Sequence, residues 1–177
     1  MRAATQLATL YHERLRRPSR AVDTLERLVE QSKDQAGGRV ARARFRAAHA
    51  PLDEALADLK EAVKIQPDHL LARVTWAEIA DRRADPIAIE QWQQALRLAP
   101  DRPELALALA RSLRDVGHNQ GRESERDREA ATVLRDALKR VTDHPALLLA
   151  LAEIRQEQGD FAEAEGLRDR LPREARA

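Results

Sequence analysis

The stretch LDEALADLKEAVKI, residues 52–65, places apolar side chains at Leu52, Ala55, Leu56, Leu59, Ala62 and Val63. Steps of three and four residues gather all six on one face of an α-helix, and charged residues occupy most of the remainder. The pattern returns along the chain. The segments LATLY, RARFR, WAEIA, LARSL and LAEIR, starting at residues 7, 42, 76, 109 and 151, each carry Ala in second place: Ala8, Ala43, Ala77, Ala110 and Ala152. Their spacings are 35, 34, 33 and 42. Four of the five have a large apolar residue two places further on: Leu10, Phe45, Ile79 and Ile154. A second series, Ala21, Ala55, Ala88, Ala130 and Ala164, is spaced 34, 33, 42 and 34. A bulky residue follows most of these by four places: Leu25, Leu59, Trp92 and Leu134. Two series with one period predict a repeated pair of antiparallel helices, A then B, about 34 residues long.

Alanines at these positions let helix A and helix B approach closely while the bulky residues fill the neighbouring grooves. Trp76 and Trp92 fall at such packing positions and are expected in the core. The punctuation agrees. Asp101 is expected as an N-cap with Glu104 three residues on, and Asp160 likewise with Glu163. Pro86, after Asp85, suits a first helical turn. Pro67 and Pro100 close two B helices. The predicted units are 1–35, 36–69, 70–102, 103–144 and 145–177, one continuous domain. The longer fourth unit carries an insertion at 117–129, GHNQGRESERDRE, which is expected as an exposed loop or a solvated extension of helix B. Pro172 cuts the last helix B short.

LDEALADLKEAVKIQPDH resembles the second helix and closing Pro of the tetratricopeptide repeat (TPR) family. LAEIRQEQGDFAEAEG resembles that family's first helix, its Gly-Asp-aromatic turn and the start of its second helix. The chain is thereby identified as similar to bacterial-type TPR scaffolds over most of its length, as about five units. The resemblance implies an all-α fold, a right-handed superhelical α-solenoid of antiparallel helix pairs, with helices A lining a concave groove. Arg42 and Arg46 depart from the pattern, standing where the family usually has large apolar or aromatic residues. The first helix of the second unit is therefore expected to be poorly buried or shifted in register.

Composition sharpens the picture. The 177 residues are 43% hydrophobic and only 3% aromatic, dominated by strong helix formers, which favours an all-helical chain. Lys plus Arg number 31 against 30 for Asp plus Glu, a balance that argues against a polyanion binder. The local run Arg39, Arg42, Arg44 and Arg46 lacks the stacking aromatics of a single-strand site and is read as a solvated face or a set of ion pairs. The preference for Arg over Lys is read as codon bias in a GC-rich genome. There is no cysteine, so disulfides and thiolate chemistry are excluded. No apolar run approaches the roughly 20 residues that span a bilayer, and the N-terminus is a poor signal peptide, so a cytoplasmic location is the expectation.

Candidate site residues follow from the groove that the resemblance implies. Three places before each helix A alanine stand Val40, Val74, Leu107 and Leu149, with Thr5 in the first unit. One place after stand Thr9, Arg44, Glu78, Arg111 and Glu153, and Arg114 lies one turn further on. The result is an apolar row flanked by charges of alternating sign. Either the row faces solvent and takes a peptide or helix of a partner, with Arg44 and Arg111 on an acidic ligand, or tight coiling buries it. The family's Lys and Asn clamp on chaperone C-termini has no counterpart, since its positions hold Thr5, Thr9, Val40 and Arg44. His12, His49, His69, His118 and His144 show no metal-ligand spacing, and no catalytic constellation is evident. No metal, cofactor or catalytic residue is expected. The function predicted is a non-catalytic protein–protein interaction scaffold, with no nucleic acid or membrane partner. The alternatives are a self-assembly module, associating through its open C-terminal unit, and a regulatory repeat segment of a larger protein.

Overall fold

A computed structural model describes residues 2–32 and 35–172. Among the described residues the chain is all-helical, with α1 at Arg2–Thr9, α2 at Pro18–Gln31, α3 at Ala36–His49, α4 at Leu52–Ile65 and α5 at Leu70–Asp81. They are followed by α6 at Ile87–Leu98, α7 at Pro103–Gln120, α8 at Glu123–Arg140, α9 at Pro145–Glu157 and α10 at Phe161–Asp169. The odd-numbered helices carry the first alanine series and the even-numbered ones the second. All ten alanines are buried. The chain forms two compact units, Met1–Ile79 and Ala80–Ala177, and the division falls inside α5.

In the first unit α1 runs into a π-helical turn, Leu10–Arg14, closed by a bond from the Leu15 amide to the Leu10 carbonyl at 3.1 Å. The wider turn adds a residue and rotates the side chains after it around the helix axis. Leu10, expected among the packing residues, is exposed, and Tyr11 packs instead against Ala8, Ala21, Leu25 and Phe45. The second cluster joins Ala43 and Ala55 to Leu59, Ala62, Ala72 and Ile79, with Trp76 partly buried against it. Burying a side chain such as Leu59 contributes about 1.5–3 kcal/mol. Gly38 lets α3 approach α2: a Cβ there would stand 3.3 Å from the Val29 Cα.

The second helix A, α3, keeps its register despite Arg42 and Arg46. The partner that makes this possible lies on α4. Asp58 is 5% exposed. It accepts from Arg42 Nη2 at 2.6 Å and Nε at 2.9 Å, and from Arg46 Nη1 at 2.9 Å. Planar guanidinium forks suit such a carboxylate. Asp58 therefore holds Arg42 above its ordinary pKa, chiefly through the hydrogen bond.

In the second unit the 42-residue spacing lengthens both helices of a pair. Each of α7 and α8 has 18 residues, against 12 to 14 for α3 to α6. The insertion is thus about one extra turn on helix A as well as helix B, joined through Gly121 at φ 65. A loop would have left its amides to water, whereas two packed helices satisfy them internally. Gly117 and Val116 are buried where α7 meets α8. Trp92 is buried, and its indole donates to Asp81 Oδ2 at 2.7 Å, while Ser112 Oγ donates to Asp81 Oδ1 at 2.7 Å.

The predicted capping is met in part. Asp160 caps α10, accepting from the Glu163 amide at 3.1 Å. Asp85 Oδ1 accepts from the Ile87 amide at 3.0 Å, so Pro86 precedes the first turn of α6. Asp101 is not the cap of α7: Pro103 opens that helix and Arg102 occupies the cap position. Pro has no amide to be capped and a preset φ, so the helix starts with it. Glu104 pairs instead with Arg102 Nη2 at 2.6 Å.

Candidate functional site

The candidate residues stand on the A helices, on either side of each stripe alanine. In the second unit they converge. Leu107, Arg111 and Arg114 on α7 and Leu149 and Glu153 on α9 line one open cleft of about 770 Å³. Its floor is apolar, with Ala110, Ala146, Ala150 and Ile154, and the start of α8 closes one end with Glu123 and Asp127. Leu149 is 38% exposed, whereas Leu107 is half-buried. Arg111 and Glu153 are exposed and make no ion pair among the described residues. Arg114 is a brace: it bonds Asp127 Oδ1 at 3.0 Å and also grips Glu157, tying α7 to α8 and α9. Burial would lower the Arg114 pKa, but the two carboxylates outweigh it and hold the group above its ordinary value. Behind the cleft, Glu163 receives both Arg135 and Arg155 at 2.9 Å and anchors α10 to α8 and α9.

The first unit has a cleft of its own, about 640 Å³, between α1, α3 and the start of α5. Val40, Arg44, Thr5 and Thr9 line it together with Phe45, His49, His69 and Leu71. Arg44 is exposed and makes no ion pair among the described residues. Val40 is only 2% exposed, so the expected solvent-facing row is graded rather than uniform. The reason is local: Val40 belongs to the cluster of Ala36 and Ala43 that α3 buries against α4. Val74 is half-buried and Glu78 exposed on α5, outside both clefts.

Three features were missed from the sequence. Asp58 looked like one more helix-surface carboxylate. His12 and His49, 37 places apart, stack with ring centroids 4.1 Å apart, and Phe45 lies 4.6 Å from His49. The π turn that presents His12 has no sequence signature, so no spacing rule would have joined them. The insertion, expected at the periphery, supplies His118 and Glu123 to the second cleft. Among the described residues no group of three His, Asp or Glu side chains could hold a metal ion, and no helix is long and apolar enough to cross a membrane.

Helix pairs with buried alanines at their contact, repeated along the chain, define the class: an all-helical repeat fold. The sequence profile of the tetratricopeptide repeat family matches residues 123–177. Solved structures share the fold over nearly the whole length. MamA of Desulfovibrio magneticus RS-1, from residue 41 to its end, gives a TM-score of 0.66 at 13% identity, covering 93% of this chain and 90% of that one. A double mutant of MamA from RS-1 gives 0.69 at 13% identity over 94% and 92%. Pseudomonas aeruginosa PilF gives 0.64 at 15% identity, covering 95% of this chain and 73% of that one. At these identities the likeness shows the fold alone. No curated protein matches the chain in sequence.

Proposed function

We propose that the chain is a non-catalytic interaction scaffold that holds a peptide or helix of a partner protein against its A helices. One observation carries the reading: Leu107, Arg111, Arg114, Leu149 and Glu153, chosen by repeat spacing within the groove that the family resemblance implies, line a single cleft. Within that cleft an exposed Leu149 stands beside Arg111 and Glu153, which make no ion pair among the described residues. An open, apolar-floored cleft of this size suits an extended segment or a helix face better than a small molecule, whose sites enclose most of the ligand. Val40 and Arg44 belong to the same reading through the first cleft. Val74 and Glu78 are assigned a lesser part.

The test is affinity capture with the wild-type chain, Leu149→Asp and Leu107→Asp as baits. A partner held in the cleft is lost with both variants, because a carboxylate without a counter-ion opposes burial of the segment. Equal recovery of one partner by all three baits contradicts the reading. Self-assembly has its own supporting observation, Phe161 at 67% exposure on the last helix. Gel filtration across concentrations separates the two: a dimer abolished by Phe161→Ser favours assembly, and a monomer throughout favours the scaffold.

A further inference from the structure

We propose that the cleft of the second unit takes a basic, apolar-anchored segment of a partner protein, an inference that rests on the scaffold reading and narrows it. The apolar part of the occupant is set by the floor, where Leu149 stands half out of the surface between the small side chains of Ala146 and Ala150. The charged part is set by the walls. Asp115, Glu123, Asp127, Glu153 and Glu157 face only Arg111 and Arg114. Five carboxylates against two guanidiniums leave a formal charge of −3 with His118 neutral, in a chain whose net charge is +1. Arg114 is occupied by Asp127 and Glu157, so a ligand meets Asp115, Glu123 and Glu153 opposed by Arg111 alone.

Arg114 and Glu157 join the C-terminal halves of α7 and α9 at this rim, where the positive N-terminal end of α8 offsets their negative ends, so the carboxylates set the sign. The insertion strengthens it, because the extra turn on each helix places His118 and Glu123 there, 3.7 Å apart. Lys or Arg side chains alternating with Leu-like anchors complement this pattern. An acidic segment, the occupant first expected from Arg44 and Arg111, would meet like charge at Asp115, Glu123 and Glu153.

The test is fluorescence polarisation with two short labelled peptides, one alternating Leu and Lys and the other Leu and Glu, added to the full chain. The Leu/Lys peptide is expected to bind and the Leu/Glu peptide to fail. Binding is expected to weaken as salt shortens the Debye length from about 30 Å at 0.01 M to about 8 Å at 0.15 M. Asp115→Lys with Glu153→Lys reverses two exposed charges that make no ion pair among the described residues, so the circular dichroism spectrum holds while affinity falls about tenfold. Leu149→Asp also weakens binding. Glu165→Lys, an exposed reversal outside the cleft, leaves it within about twofold. Equal or tighter binding of the Leu/Glu peptide, lost in Leu149→Asp, overturns the charge inference and leaves the cleft as a docking site. A Leu/Lys affinity indifferent to the double reversal and to Leu149→Asp overturns both. No Leu/Lys binding at low salt overturns the inference on its own.

Discussion

Asp58 carries more of the first unit than its residue type announces. It is almost fully buried and is the shared acceptor of two arginines whose own side chains are about one-fifth exposed. Removing one member of a buried ionic cluster is costly because the others lose their counter-charge. The partial exposure of both arginines lets water recover some of that cost. Asp58→Ala is therefore expected to lower unfolding stability by about 2–3 kcal/mol, read as a shift in urea midpoint at constant slope. An unchanged midpoint would mean that the arginines find other partners. Ala77, fully buried on α5, fails in the opposite way. Ala77→Leu overpacks its surroundings and is expected to cost about 1–3 kcal/mol in the same assay. The alanines were legible in the sequence because close helix contacts demand a small residue once per repeat, and that demand leaves a period. Asp58 was not, because nothing local tells a buried helix carboxylate from a solvated one.

At the scale of elements, two helical glycines with opposite surroundings make a paired test. A Cβ on Gly117 would stand 2.7 Å from the Arg126 Cβ, where α7 and α8 cross. A Cβ on Gly166, in α10, meets nothing within 4 Å. Alanine is the better helix former by about 1 kcal/mol in either place. Gly166→Ala is thus expected to raise stability by about 0.5–1 kcal/mol. At Gly117 the clash offsets the gain, since the Arg126 Cβ is tied to its backbone, and Gly117→Ala is expected to lower the melting temperature. If both variants are stabilised, α7 and α8 are not in close contact there. The insertion shows why elements are harder to read than periods. Its polar composition fitted a loop or a solvated extension of helix B, but the extension of helix A as well was not foreseen, and a one-turn extension of two paired helices needs only a few buried residues. Val116 and Gly117 were those residues, and neither is distinctive in sequence.

At the scale of the molecule, five of the nine candidate residues, chosen by repeat spacing within the groove the resemblance implies, line one cleft and two line another. That choice did not give the cleft its sign. Spacing selects residues on helix A, whereas Glu123 and Asp127 come from the first turns of α8 and Asp115 and Glu157 from neighbouring turns of α7 and α9. Charge at a concave surface is summed over several elements, and only the assembled fold sums it. Burial was equally hidden: Val40 and Leu149 hold equivalent places in the repeat, yet one is in the core and the other stands out from it.

The central claim is that the A-helix cleft of the second unit is the binding surface. The most direct measurement is a display selection from a random peptide library on the folded wild-type chain, with the recovered peptides then rebound to two variants. One is Leu149→Asp in the cleft. The other is Arg97→Glu with Arg140→Glu, on the B-helix face between α6 and α8. The account predicts that the peptides share apolar and basic residues, bind Leu149→Asp about tenfold or more weakly, and bind the B-helix variant as they bind wild type. Peptides that keep their affinity for Leu149→Asp and lose it for the arginine double variant would contradict the account and move the binding surface to the B helices.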